Sequence, residues 1–175
     1  MEKIIAEKWD LLEAGRSDFL VFLSQFPESR LFEKETLEKW SVVEVIHHLY
    51  QVDQLSLRKG RKSQLKEFSF KSGLIGSIKG KLLLLALRLP FKFRAPEFAR
   101  PKVSAEMTFQ SLIEDWSRLR EEMRVFFEGI QGSQVTNAIF FHPYAGKMPA
   151  SEFLNFLHLH QKRHFDQIGK KLDQN

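Results

Sequence analysis

Pro149-ASEFLNFLHLHQKRHFDQIGKK-Leu172 is the stretch that decides the fold. Proline suits a first helical turn, where its missing N–H is no loss. Phe153, Leu157, His160, His164 and Ile168 then recur at spacings of three and four, which marks one helix face turned to a core. A helix advances about 100° per residue, so His160 and His164 differ by only about 40° and project together. His158 falls on the far side from His160. A stripe of this kind needs partner helices, and the chain carries three more.

Ile5, Trp9, Leu12, Phe19, Leu23 and Phe26 define the first, which Pro27 stops. The second is expected from Val42 to about Arg58, opened by Ser41 and Glu44 at capping-box spacing. The third follows Pro101 and Ser104, with Phe109, Leu112, Trp116, Leu119, Met123, Phe126 and Ile130 on one stripe and Gly132 past its end. Only Val135 to Phe141 looks like a strand, and it is short. Four long helices with a long crossover and no sheet predict an all-α protein, a four-helix bundle.

With 175 residues, 43% hydrophobic and 28% charged, the chain reads as one domain over residues 1–175, able to bury a core without staples. It has no cysteine, which excludes disulfides, thiolate zinc sites, iron–sulfur clusters and a cysteine nucleophile. Any transition metal must sit on histidine nitrogen and on carboxylate or water oxygen. Seventeen phenylalanines against two tyrosines point to a core or pocket lined with plain apolar rings. The start, MEKIIAEKWDLLEAG, breaks its apolar residues with charges and is not a signal peptide. The longest clean apolar stretch, Leu82 to Leu87, falls far short of the roughly 20 residues of a membrane span. The expected location is cytoplasmic.

The net charge of +5 is unevenly placed. Residues 58–102 hold 13 Lys or Arg against Glu67 and Glu97, a net of +11, and the rest of the chain carries −6. Four of nine glycines and three of six prolines also fall there. This segment is the expected crossover between the second and third helices, with a short helix over Ser77 to Leu89. Its basic residues and Phe68, Phe70, Phe91 and Phe93 can serve phosphates, nucleic acid or an anionic membrane. The simpler reading is a solvated face covering an apolar helix. Specific DNA reading is not expected, because no helix presents consecutive base-facing Arg, Asn or Gln.

On the second helix, Val45, His48, Val52 and Leu55 form the inward stripe, with His47 rotated off it. His48, His160 and His164 thus aim into one core. Each can be a neutral buried imidazole bonded to a neighbour. Three together exceed the acceptors in view and favour a metal site suited to zinc, nickel, copper or iron(II).

Trp40-Ser41-x-x-Glu44-x-x-x-His48-Leu49, followed by His160-x-x-x-His164-x-x-Gln167-Ile168, resembles the DinB-like, YfiT-type superfamily of metal-dependent hydrolases and thiol transferases. Arg94-Ala95-Pro96, Pro101 and the turn His142-Pro143-Tyr144-Ala145-Gly146-Lys147-Met148 look similar as well. The resemblance spans most of the chain. It implies an up-down-down-up four-helix bundle, often a homodimer, with one divalent metal on His48, His160 and His164. Zinc or nickel is expected first, then manganese or iron. The implied partners are a small-molecule substrate and a low-molecular-weight thiol such as glutathione or bacillithiol.

A divalent ion on three neutral imidazoles keeps its charge and lowers the pKa of bound water or thiol toward about 7. Thiol transfer is the expected reaction. Metal-dependent hydrolysis is the alternative, and a non-catalytic metal-stabilised module binding anionic surfaces stands behind both. Glu44 is a candidate base or orienting group with a competing capping role, and Gln167 a candidate partner of a ligand or water. His142 and Tyr144 lie in a turn that can approach the site mouth. Trp9, Trp40 and Trp116 read as packing. Phe140, Phe141, Phe153 and Phe156 can line an apolar pocket above the metal.

Overall fold

The computed structural model of the chain describes residues 1–36, 38–65, 70–71, 82–83, 85, 97–142 and 146–173. In chain order these give α1 (Lys3–Leu23), α2 (Glu28–Phe32), α3 (Val42–Leu65), β1 (Phe70–Lys71), α4 (Phe109–Glu128), β2 (Asn137–His142), β3 (Gly146–Pro149) and α5 (Ala150–Asp173). Short 3-10 turns cover Glu97–Ala99 and Gly132–Val135. The protein is mostly helical, as its periodicity predicts. Of the short helix expected over Ser77 to Leu89, only Leu82, Leu83 and Leu85 are described, all helical; the rest of that expectation lies outside the described residues. So do Phe68, Phe91, Phe93, the Arg94-Ala95-Pro96 motif and Tyr144.

Side chains on the inward stripes build one core. α1 lies along α5 and α3 along α4, with α3 also meeting α5. Trp9 of α1 tilts against Phe127 of α4 with ring centroids 5.6 Å apart, and Phe19 stacks on Phe165 of α5 at 3.8 Å. Ile5, Leu12, Leu23, Ile46, Leu112, Trp116 and Leu154 are fully enclosed. Burial of this apolar area is the main stabilising term, at about 25 cal/mol per Å².

Helix limits follow local chemistry. α1 stops at Leu23, three residues before Phe26, where Gln25 and Phe26 donate to Phe22 and Leu23 in tightened bonds of 3.3 and 3.1 Å. The Ser41–Glu44 box forms as expected: Glu44 N–H donates to Ser41 Oγ at 3.1 Å, and Ser41 N–H to Glu44 Oε2 at 2.8 Å. A second box, Thr108 with Ser111, opens α4. α3 runs through Gly60 to Leu65, so residues 58–65 belong to the helix and the basic crossover begins later than expected. Gly60 is there for space: a Cβ would come within 2.8 Å of Phe126 Cζ and 2.9 Å of Phe140 Cε1.

The expectation of no sheet is corrected. β2 pairs antiparallel with β3 through Phe140↔Met148, Phe141↔Lys147 and His142↔Gly146, and with β1 through Phe70↔Ala138 and Lys71↔Asn137. Gly146 takes φ +76°, a left-handed conformation that glycine adopts without penalty. Phe140 fastens this sheet to the helices, stacked on Phe153 at 4.1 Å and on Phe127 at 5.7 Å. The hairpin delivers the chain into α5 at Ala150, one residue from the expected opening.

Candidate metal centre

His48 comes from the second turn of α3, and His160 and His164 from successive turns of α5. The helices bring the three rings together: the centroid of His48 lies 5.3 Å from that of His160 and 5.1 Å from that of His164. His160 Nε2 is 3.4 Å from His48 Nε2 and 3.2 Å from His164 Nε2. These three residues form a group that can hold a metal ion. Nitrogens each about 2.1 Å from a shared ion stand about 3.0–3.4 Å apart in octahedral or tetrahedral arrangements. The two spacings to His160 fit, and the ligand atoms of all three residues lie within 4.8 Å of one another.

Hydrogen accounting supports the same fit. His48 Nδ1 donates to the Ala99 carbonyl at 2.5 Å; a carbonyl only accepts, so the proton sits on Nδ1 and the Nε2 lone pair faces the cluster. One hydrogen on His160 Nε2 serves only one of its two neighbours, leaving the other nitrogen unmatched. His164 Nδ1 is also buried without a hydrogen-bond partner among the described residues. A cation facing three lone pairs removes that mismatch at the Nε2 atoms.

All three rings are held neutral. Burial lowers the pKa of His48, opposed by the Ala99 carbonyl and by Asp53. Burial, then His164 and His48, push His160 well below its ordinary value. Burial and then His48 take His164 down to about 3; Gln167 opposes that fall without closing a hydrogen bond of normal geometry on Nδ1. Neutral imidazoles are the form that binds metals.

α5 is turned slightly from its expected orientation. Gln161 and Phe165 are buried with Leu154, Leu157 and Ile168, whereas His160 and His164 are half-buried at the edge of that face. Gln161 is satisfied in the core by donating to the Leu12 carbonyl at 3.0 Å. This orientation leaves His160 and His164 between core and solvent, while His48 is buried.

Aromatic rings complete the surround. Trp40 tilts against His48 at 5.3 Å, and Phe156 stacks on His160 at 5.4 Å with ring planes 13° apart. His142, the last residue of β2, packs on Phe156 at 4.5 Å. Burial and then Lys59 lower its pKa to about 4. His142 lies beside the centre, one ring beyond Phe156. Glu44 is engaged twice, in the capping box and in a 2.7 Å ion pair with Lys34. Gln167 is exposed beside His164. His47 is buried off the stripe, its Nδ1 accepting from the Lys102 amide at 3.3 Å.

Sequence reading missed a buried polar network. Asp53 accepts from Trp116 Nε1 at 2.7 Å and from Arg120 Nη1 at 2.8 Å. Arg120 also donates through Nε to Glu13 at 2.6 Å, and Arg16 donates to Ser117 Oγ at 2.6 Å. The guanidinium of Arg120 lies over Trp9 and that of Arg16 over Trp116. Trp9 and Trp116 do pack in the core, and both also carry this network. Its signal was present in charges that continue the apolar stripes: Arg16 after Trp9-Leu12 and Arg120 after Trp116, with the acids Glu13 four residues after Trp9 and Asp53 four residues after Leu49.

Comparison with known proteins agrees with the geometry. The profile of the DinB superfamily matches residues 11–168. The uncharacterized protein YuaE of Bacillus subtilis (strain 168) is 23% identical over 146 residues, 83% of this chain and 85% of that protein. No solved structure matches the chain.

Proposed function

The chain belongs to the DinB superfamily, and from that premise we propose that it is a divalent-metal-dependent enzyme that transfers a low-molecular-weight thiol. The observation that carries the reading is the convergence of His48, His160 and His164: His160 Nε2 lies 3.4 Å from His48 Nε2 and 3.2 Å from His164 Nε2, and the ligand atoms of all three lie within 4.8 Å of one another. These three hold the ion, with zinc or nickel favoured by an all-imidazole donor set, ahead of manganese or iron(II). Bound there, a divalent cation supplies a Lewis acid that brings a water or thiol toward deprotonation at neutral pH.

The chain's own residues do the rest. Ala99 fixes the His48 lone pair on the centre. Phe156 and Trp40 give apolar surface beside the ligands, suited to an electrophile with a hydrophobic body. Glu44 is committed to Ser41 and Lys34, which argues against it as the dedicated base a hydrolase would want. A thiol needs less help, since its free pKa is about 8.5. The chain has no cysteine, so the sulfur comes from a cosubstrate. In the reaction a sulfur–carbon bond forms, the leaving group departs with its bonding pair, and the thiol proton is released. Basic residues of the crossover would steer an anionic thiol inward. A cytoplasmic homodimer acting as one domain per chain completes the reading, by family resemblance.

Protein loaded with zinc, nickel, manganese or iron(II) should be offered a small electrophile with glutathione, mycothiol or bacillithiol. Ester, amide and phosphoester substrates are screened in parallel. Metal-dependent consumption of thiol and electrophile together is expected. Metal-dependent hydrolysis that needs no thiol would replace this reading with the hydrolase.

A further inference from the structure

Two neighbouring histidines of α3 grip one backbone segment by opposite chemistry. His48 Nδ1 donates to the Ala99 carbonyl at 2.5 Å, and three residues later the Lys102 amide donates to His47 Nδ1 at 3.3 Å. His47 and Ala99 are both buried, 7% and 5% exposed. A 3-10 turn over Glu97–Ala99 leads into the first bond, with Arg100 N–H donating to the Glu97 carbonyl at 3.2 Å. The bond to Ala99 decides which nitrogen of His48 carries the proton, and hence whether its lone pair faces His160 and His164. The bond to His47 ties the other end of that strap to the helix.

We infer that His47 is a positioning residue for the metal centre, clamping residues 99–102 so that Ala99 sets the tautomer of His48. This deepens the proposed function and rests on it. Because the same strap ends the basic crossover, metal binding and docking of the crossover's end are coupled, and the coupling is reciprocal. Occupying the centre favours the docked strap, and loosening the strap weakens the centre. Groups that fix a ligating histidine from behind affect metal affinity by roughly 10- to 100-fold.

The full-length protein is titrated with zinc against a competing chelator as wild type, H47F and H47N. Phenylalanine fills the space without an acceptor, while asparagine can place Oδ1 where Nδ1 accepts. H47F should bind zinc roughly 10- to 100-fold more weakly, and H47N should stay within a few-fold of wild type. Hydrogen exchange in the wild type gives a measurement independent of any variant's folding: zinc should slow exchange of the Lys102 amide. Equal zinc affinity in wild type and H47F, no rescue by H47N relative to H47F, or an unchanged Lys102 exchange rate overturns the inference alone. Absence of zinc binding by the wild type overturns the functional reading and this inference with it.

Discussion

His164 joins burial to chemistry in one ring: the environment that lowers its pKa to about 3 also keeps the ring neutral, with one nitrogen lone pair free, at neutral pH. With His142 lowered to about 4, it makes the metal-free protein sensitive to acid. In the unfolded chain both rings take protons below pH about 6.5, while in the folded chain they do not until near pH 3–4. Their contribution is complete above about pH 6.5 and declines as pH falls through that window, by roughly 1–2 kcal/mol per ring at pH 5. Urea unfolding of metal-free protein at pH 7 and pH 5 checks the sign; equal stability would contradict it. Asp53 is the other decisive residue. Replacing it by Asn leaves Arg120 buried with Glu13 as its remaining charge partner, and should cost roughly 3 kcal/mol. A fall in urea midpoint at unchanged slope would show it. The spacing of His48, His160 and His164 was legible because helical periodicity alone brings them inward. The bond from His48 to Ala99 was not, since a backbone carbonyl 51 residues away leaves no mark in the sequence.

At the scale of elements, Gly60 is read best from its neighbours. Glycine inside a helix costs up to about 1 kcal/mol relative to alanine, so G60A would stabilise an isolated α3. Here the added methyl meets Phe126 and Phe140 at under 3 Å. Those rings are themselves packed, with Phe140 held between Phe127 and Phe153. The net effect should be a loss of roughly 1–3 kcal/mol, read as a lower thermal midpoint; a gain would show that the phenylalanines yield. The same glycine explains why α3 outran its expected end: a composition signal for a loop was a packing requirement. The small sheet escaped for a different reason. β1 has two residues and β3 four, too short to display alternation, and only tertiary pairing makes them strands. The four long helices were visible because each carries several turns of stripe. The orientation of α5 was only approximate, since Gln161 sits in the core on a bond to Leu12 that hydropathy does not anticipate.

Across the whole molecule, charge and chemistry are divided. Residues 58–102 carry +11 and the remainder −6, while the histidine cluster is neutral and lies at the edge of the core. No helix among the described residues is long and apolar enough to cross a membrane. Affinity for nucleic acid drawn from such a basic segment is electrostatic and should fall steeply as salt rises toward about 0.2 M; tight sequence-selective binding there would contradict the small-molecule reading. The central claim is that three histidines hold one ion. It is tested most directly by metal content and X-ray absorption on purified, metal-loaded protein, beside H160A and H164A. The wild type should hold one divalent ion per chain with imidazole nitrogens at about 2.0–2.2 Å. Each variant should lose stoichiometric metal while keeping its helical circular dichroism. An ion retained in both variants, or a wild type that binds none, would contradict the account.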